Sequence, residues 1–432
     1  MIAPSIESVQ PNGKPERRPV LACERMLARQ RCLRLLSRSG TLSSDMLRRI
    51  ALGSAAFLLI VLLAGFIVLP GMVDRRMNTI AEAPHLVISD SARALHARLF
   101  VADMHTDELL WGRDLLQRID HGHVDLPRMR DGNVALQVFS AVTQTPRDMN
   151  YDRNTAETDN ILLLALVQRW PLAALRSRRA RAIHQADRLY AAAERSSGAL
   201  VIITNRESMD AFLLRRGVKN DVHGAVLAIE GLHALDGRLE SVDTLFAHGF
   251  RMMGLTHFFD NEVAASAHGV THGGLTPLGR QVIARMESLG ILVDLAHASS
   301  QTVTEALAVA TRPVVVSHTG VAGTCPGPRN LTDPQLRAIA ANGGVVGIGY
   351  WDGAVCALGA ASTAKAIRHS VTIAGIDHVG LGSDFDGATA TPFATDRLGE
   401  ITQALLDQKF TAAEIAQIMG GNVLRVLREG LK

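Results

Sequence analysis

At 432 residues the chain is long enough to bury a large core, as one big domain plus an appendage. Its net charge of +3 is uneven: residues 1–49 hold ten Lys/Arg against four Asp/Glu, a net of +6, so the remainder carries −3. A mildly acidic main body gives no argument for nucleic acid as a partner, despite the basic overall balance.

From Ile50 to Val73 there is no charged residue. That window is long enough to cross a hydrocarbon core of roughly 30 Å as a helix, and a helix apolar all round at this length is rare in soluble domains. Arg48-Arg49 and the arginines upstream predict a cytoplasmic N-terminus and an exported C-terminal domain, at a bacterial inner membrane facing the periplasm or at a cell surface. Removal as a signal peptide is the competing reading. The preceding basic region is far too long for one, and Pro84 directly follows the Ala81-Glu82-Ala83 site, so an uncleaved single-pass anchor in membrane lipid is expected. Leu21–Leu36 mixes arginines with leucines, either as a basic amphipathic helix on anionic lipid or as a tail that only sets topology. The expected organisation is therefore a basic tail (1–49), an anchor (50–73), a linker with a lead-in helix (74–98) and a catalytic domain (99–432). Cys23 and Cys32 fall on the reducing side; Cys325 and Cys356 fall on the exported side, where a bridge is permitted. Neither pair has zinc-knuckle spacing.

Beyond the anchor, short apolar runs end abruptly on histidine or acid. Leu99–Asp107 closes on His105 and Asp107, which strand alternation puts on one face. His123-Val-Asp125 has the same spacing but reads as a polar turn between Gly122 and Pro127. Asn133–Ser140 is a second strand, and Thr155–Glu194 is largely helical, with Ile161–Val167 as a core face. Ala199–Ile203, Val226–Glu230, Phe250–His257, Ile291–His297, Pro313–His318, Gly344–Gly349 and His378–Asp386 follow as strands, and Thr411–Leu427 as a closing helix. Between the 250 and 291 runs, Thr276 as N-cap, Pro277 at the first helical position and Gly290 as terminator frame a helix. Strand, helix and strand in succession predict a parallel sheet, α/β in class and a (β/α)8 TIM barrel in architecture. Nine strand candidates exceed the eight such a barrel needs; the Ala199 run ends on no ligand-type residue and is placed outside the ring. The glycines at 343, 344, 347 and 349 match neither a Rossmann nor a P-loop pattern.

Taken singly, a histidine at a strand end is more often structural than a ligand. Together, His105, Asp107, Glu230, His257, His297, His318 and Asp384 sit at strand ends that a barrel gathers on one face. Imidazole and carboxylate are the ligand set of Zn²⁺ and related divalent ions. The segments Glu230-Gly231, Leu255-Thr-His257, Gly274–Gly279, Val293–Ser299, Val316-Ser-His318, Pro328-Arg-Asn330 and Gly380–Gly387 resemble, in order, the membrane (renal-type) dipeptidases of the metal-dependent amidohydrolase group. The resemblance implies a binuclear zinc centre that hydrolyses dipeptides by attack of a metal-bridging hydroxide. His105 and Asp107 would bind one zinc, His297 and His318 the other, and Glu230 would bridge both. His257 would meet the substrate carbonyl, Arg329 would hold the free carboxylate, and Asp384 would act as base and proton shuttle. Cys325 and Cys356 lie beside the Arg329 loop and after the next strand, so one disulfide fixing that loop is expected, with two unpaired thiols as the alternative; a homodimer is what the resemblance implies.

Two positions depart from the family pattern: Met104 stands where glycine usually precedes the ligand histidine, and Asn261–Ser266 replaces a Trp-Ala-Asp stretch. Side-chain preference and acceptance of a C-terminal D-residue stay open. Two rival readings are an N-acyl amino acid deacylase or lactonase-like amidohydrolase, for which Arg329 is the discriminating residue, and a non-catalytic anchored barrel, against which the complete ligand set argues.

Overall fold

The computed structural model describes residues 43–432. Residues 1–42 of the basic tail, with Cys23 and Cys32, lie outside the described residues. The chain divides into two compact units, one ending at Ala64 and one running from Gly65 to Lys432. The apolar run lies in helix α1 (Ser44–Met77), which continues past Asp74 and ends with Arg75 and Arg76 in its last turn, where cations suit the helix dipole. Among the described residues it is the one helix long and apolar enough to cross a membrane. The following segment has one bridge, Ile80 to Thr391, before a short helix, Asp90–His96.

Nine parallel strands form the sheet: β1 (Val101–Thr106), β2 (Val134–Val142), β3 (Leu200–Ile202), β4 (His223–Glu230), β5 (Phe250–Gly254), β6 (Leu292–Asp294), β7 (Val315–Thr319), β8 (Val345–Ile348) and β9 (Val379–Leu381). Eight of them close a ring, because β2 pairs with both β1 and β4 while β9 pairs with β1. β3 pairs only with the first residues of β4, His223 to Ala225, below the point where β5 joins it at Leu227. The Ala199 run is thus outside the closed barrel, as its lack of a terminal ligand predicted. The helical region between β2 and β3 resolves into α2 (Asn160–Val167) and α3 (Arg178–Arg195). α2 buries Ile161, Leu164 and Ala165 but leaves Leu162, Leu163 and Leu166 exposed, so it is less of a core face than its composition implies. α4 (Pro277–Leu289) begins and ends as its caps dictate: Thr276 Oγ1 accepts from Gly279 N at 3.0 Å, and Gly290 takes the left-handed conformation.

Ala102, Met104, Leu136, Val138, Val226, Ala228, Met252, Leu292, Val315 and Val345 meet in one apolar cluster, fed by every ring strand except β9. Val423, Val426 and Leu427 of the last helix, α5 (Asn422–Gly430), join it. The predicted closing helix is interrupted by a wide turn at Gln417–Gly421. Any side chain at Gly420 would overlap the Phe100 carbonyl just before β1, so the chain needs glycine for this approach. Met104 fills space that glycines vacate: a Cβ on Gly347 would meet its methyl at 2.9 Å, and one on Gly380 at 3.7 Å. The departure at position 104 is therefore compensated from β8 and β9.

Gly347→Ala is expected to overpack this junction against Ser317 O and Met104, costing about 1–3 kcal/mol. Thermal unfolding reads this as a lowered Tm, and an unchanged Tm would contradict the packing described.

Candidate active site

All the strands run parallel, so their C-terminal ends share one rim, where barrels carry their chemistry. β1 delivers the first pair through a bulge. Three steps from Asp103 to Thr106 face two from Gln137 to Phe139, so the strand changes phase after Met104 packs inward. Glu230 is the last residue of β4, and His318 lies within β7. His257, His297 and Asp384 each lie three residues beyond their strand ends. His297 and Asp384 hold φ of 60°, a left-handed backbone that costs energy in non-glycine residues and clusters at functional sites.

These turns bring the predicted residues together. Glu230 Oε1 lies 2.9 Å from His297 Nε2 and 3.3 Å from His318 Nε2, and its Oε2 lies 3.1 Å from His257 Nε2. His297 and His318 point their Nε2 atoms at each other at 3.0 Å. His105 Nε2 is 3.4 Å from Asp107 Oδ1 and 3.9 Å from Asp384 Oδ1, without hydrogen-bond alignment. All are buried: His105 is 1% exposed and Asp384, the most open, 8%. His105, Asp107 and Glu230 can present atoms to one ion, and Glu230, His257 and His297 to another, as can His105, His318 and Asp384.

The electrostatics favour cations here. Burial drives Glu230 well above the ordinary carboxylate range, helped by the charge of Asp107, and burial also raises Asp107 and brings Asp384 to about 7. Burial alone would lower His105, but Asp107, Glu230 and Asp384 outweigh it and raise the imidazole to about 10. His257, His297 and His318 are held well below their usual range by burial first, then by neighbouring imidazoles and Arg329. They are thus in the neutral form that binds metal. Both nitrogens of His105, Asp107 Oδ1 and Glu230 Oε1 are buried with no hydrogen-bond partner among the described residues. Unpaired buried polar atoms are costly, and divalent ions at this convergence would satisfy them.

Arg329 sits on the loop after β7. Its Nη2 donates to His318 O at 2.8 Å, its guanidinium lies 5.5 Å from the Trp351 ring, and it forms no ion pair among the described residues. The loop is braced by the Cys325–Cys356 disulfide, with Cα atoms 5.3 Å apart, and by Asn330, whose Nδ2 donates to Cys325 O at 2.7 Å. One cavity of about 760 Å³ is lined by Asp107, Glu230, His257, His297, Arg329 and Asp384.

The family model for membrane dipeptidases (peptidase family M19) matches residues 89–431. The chain belongs to the membrane dipeptidase family. It is 30% identical to dipeptidase aclJ of Aspergillus oryzae over 76% of this chain and 78% of that one. It is likewise 30% identical to the uncharacterized dipeptidase C965.12 of Schizosaccharomyces pombe, over 71% of this chain and 72% of the relative. Among solved structures, the probable dipeptidase PvdM of Pseudomonas aeruginosa superposes with a TM-score of 0.66 at 20% identity, over 78% of this chain and 97% of that one. A Rhodobacter sphaeroides metallopeptidase, liganded with a phosphinate mimic of the dipeptide L-Ala-D-Ala, gives 0.63 at 22% identity, over 77% and 99%. Both confirm the barrel fold. As a member of this family the protein is an enzyme acting on dipeptides, and membership of a metallopeptidase family implies a metal.

Several residues of this dipeptidase site escaped the sequence reading. Asp103 accepts from His105 N at 3.0 Å, Gln137 Nε2 at 3.1 Å and Ser383 N at 3.0 Å, tying β1 to the Asp384 turn. Asp294 accepts from Ala296 N and Ser317 N, holding the turns before His297 and His318. Their signal was present, an acid inside an apolar strand two or three positions before a histidine of the cluster. Ser317 Oγ lies 2.9 Å from His318 Nδ1 and orients that ring. In the divergent stretch, Ser266 Oγ reaches the carbonyls of both His257 and His297. His123 and Asp125 lie apart from the site, at a bend as expected, but both are buried. His123 is buried with its Nδ1 accepting from Asp386 N at 3.0 Å, and Asp125 caps the helix Leu126–Asp131.

Removing the disulfide with Cys325→Ser is expected to cost about 2–4 kcal/mol of stability. It should also raise KM for substrate more than it lowers kcat, since the loop carrying Arg329 loses its brace. Equal Tm and KM in the variant would show that the bridge braces nothing.

Proposed function

We propose that this enzyme is a zinc-dependent dipeptidase with two metal ions per chain, held by His105 and Asp107 on one side, His297 and His318 on the other, and Glu230 between them. The observation that carries the reading is the convergence of three imidazoles on the Glu230 carboxylate, 2.9–3.3 Å away, beside a cavity that is also lined by buried Arg329, which has no ion-pair partner among the described residues. Neutral imidazoles and carboxylates are the donor set zinc prefers. When bound, such a metal pair acts as a Lewis acid and acidifies a water to the neutral range.

The chain's own residues do the rest. Arg329, buried where its charge is poorly solvated, pairs bidentately with the free carboxylate of the substrate. That fixes a substrate ending one residue past the scissile bond. His257, kept neutral by burial, faces the carbonyl whose charge grows during attack. Asp384, raised to about 7 by burial, takes a proton from the attacking water and returns it to the leaving amine. One water is consumed and two amino acids leave. The anchor reading places the apolar run of α1 in the membrane with Arg48 and Arg49 on the cytoplasmic side, and the bridged cysteines suit an exported, oxidising compartment.

A panel of Ala-Ala, L-Ala-D-Ala, the C-terminal amide of Ala-Ala and N-acetyl-alanine separates the rivals. Turnover of the free dipeptides that chelator abolishes, with the amide poor, is expected; preference for N-acetyl-alanine would move the enzyme to the deacylases. Arg329→Gln should raise KM for dipeptides at least about tenfold while leaving the amide little changed. Asp384→Asn should keep its metal and lose about 10²–10⁴-fold in kcat, and full activity would exclude the proton-shuttle role.

A further inference from the structure

Resting on the dipeptidase reading, we propose that the last turns of α1 form one wall of the substrate cavity and select dipeptides with bulky apolar side chains. The cavity floor is polar, but Leu69, Val73 and Met77 line it above, together with Ile161, Leu164 and Val167 of α2. Leu69, Val73 and Met77 are spaced four apart, which puts them on one helix face. Val73 packs against the apolar cluster built around Trp111 and Ile161, while Leu69 and Met77 keep 45% and 42% of their surface open. At about 760 Å³ the cavity lies in the range of roughly 300–1,000 Å³ that takes drug-sized ligands. Ala-Ala leaves most of that space, and its apolar wall, unused.

The wall is fastened rather than merely adjacent. Asp74, the first charge after the apolar run, is only 4% exposed. It accepts from Arg113 Nε at 2.7 Å and from Asn78 Nδ2 at 2.8 Å, and His121 Nε2 lies 3.0 Å from it. Arg113 Nη1 also pairs with Asp386 at 2.8 Å, two residues beyond Asp384. Asn78 Oδ1 accepts from Ala388 N at 3.0 Å, and Thr79 O accepts from Thr391 N at 3.1 Å. Thus the helix end and the loop carrying Asp384 share one buried polar network, of the kind that is strongly destabilised when one partner is removed. A helix that only tethered the enzyme would leave Asp74 and Asn78 in water.

The test is kcat/KM of the full-length chain in lipid nanodiscs toward Leu-Phe and Ala-Ala. Wild type is expected to favour Leu-Phe. Val73→Ser and Met77→Ser should each lower the Leu-Phe to Ala-Ala ratio about tenfold. Met77→Trp, at a half-exposed position that tolerates bulk, should lower it by filling the space and decides the matter if a serine variant fails to fold. Ala-Ala turnover with an unchanged ratio in the Met77 variants would overturn the inference and leave the dipeptidase reading standing. A wild type inert toward both peptides would overturn that reading and this one with it.

Discussion

Crowding of like charge at one buried point sets the terms for this structure. Asp107, Glu230 and Asp384 converge where burial makes each carboxylate unfavourable, and their combined charge is enough to lift the His105 imidazole to about 10. Without compensating cations such a centre would neutralise itself by taking up protons. With them, the acids could stay ionised as ligands or base, and on the proposed assignment the neutral imidazoles of His297 and His318 would complete the shell while His257 faces the substrate. Much of the surrounding structure serves to hold these groups close: the bulge in β1, the left-handed turns at His297 and Asp384, and the carboxylates of Asp103 and Asp294 that accept backbone N–H groups from neighbouring strand ends.

The metal candidates were legible because parallel strands impose a rule that survives without coordinates. An apolar run that stops on histidine or acid marks a strand end, and a barrel gathers strand ends. The cap residues Thr276 and Gly290 were legible for a similar reason, since they act on their own helix. The second layer was hidden. Asp103 and Asp294 stood in view inside apolar strands, yet their partners, Ser383 just beyond β9 and Ser317 on β7, lie far along the chain, and only closure of the ring brings these together. Met104 was read as a departure from the family; its tolerance depends on Gly347 and Gly380, far away in the chain. His123 looked like a turn residue because flanking glycine and proline signal turns, and its burial against Asp386 follows from the docking of a distant loop.

The far end of α1 was the least legible part. By composition the run from Ile50 to Val73 is an anchor, and charge resumes at Asp74 as though the chain had re-entered water. Instead Asp74 is buried on Arg113, and the residues after it bond to the loop between Asp384 and Thr391. Local patterning cannot separate a solvated acid from a paired one, because the difference lies in an arginine 39 positions later. The stretch apolar enough to cross a membrane and the residues that line the cavity, Leu69, Val73 and Met77, consequently belong to one continuous helix.

The most direct test of the central claim is elemental analysis of the purified full-length chain beside its Glu230→Gln variant. The account predicts about two divalent ions per chain, with zinc dominant, as two-metal hydrolase sites hold, and loss of both occupancy and turnover in the variant. A wild type that carries no divalent ion and hydrolyses dipeptides undiminished in the presence of chelator would contradict it.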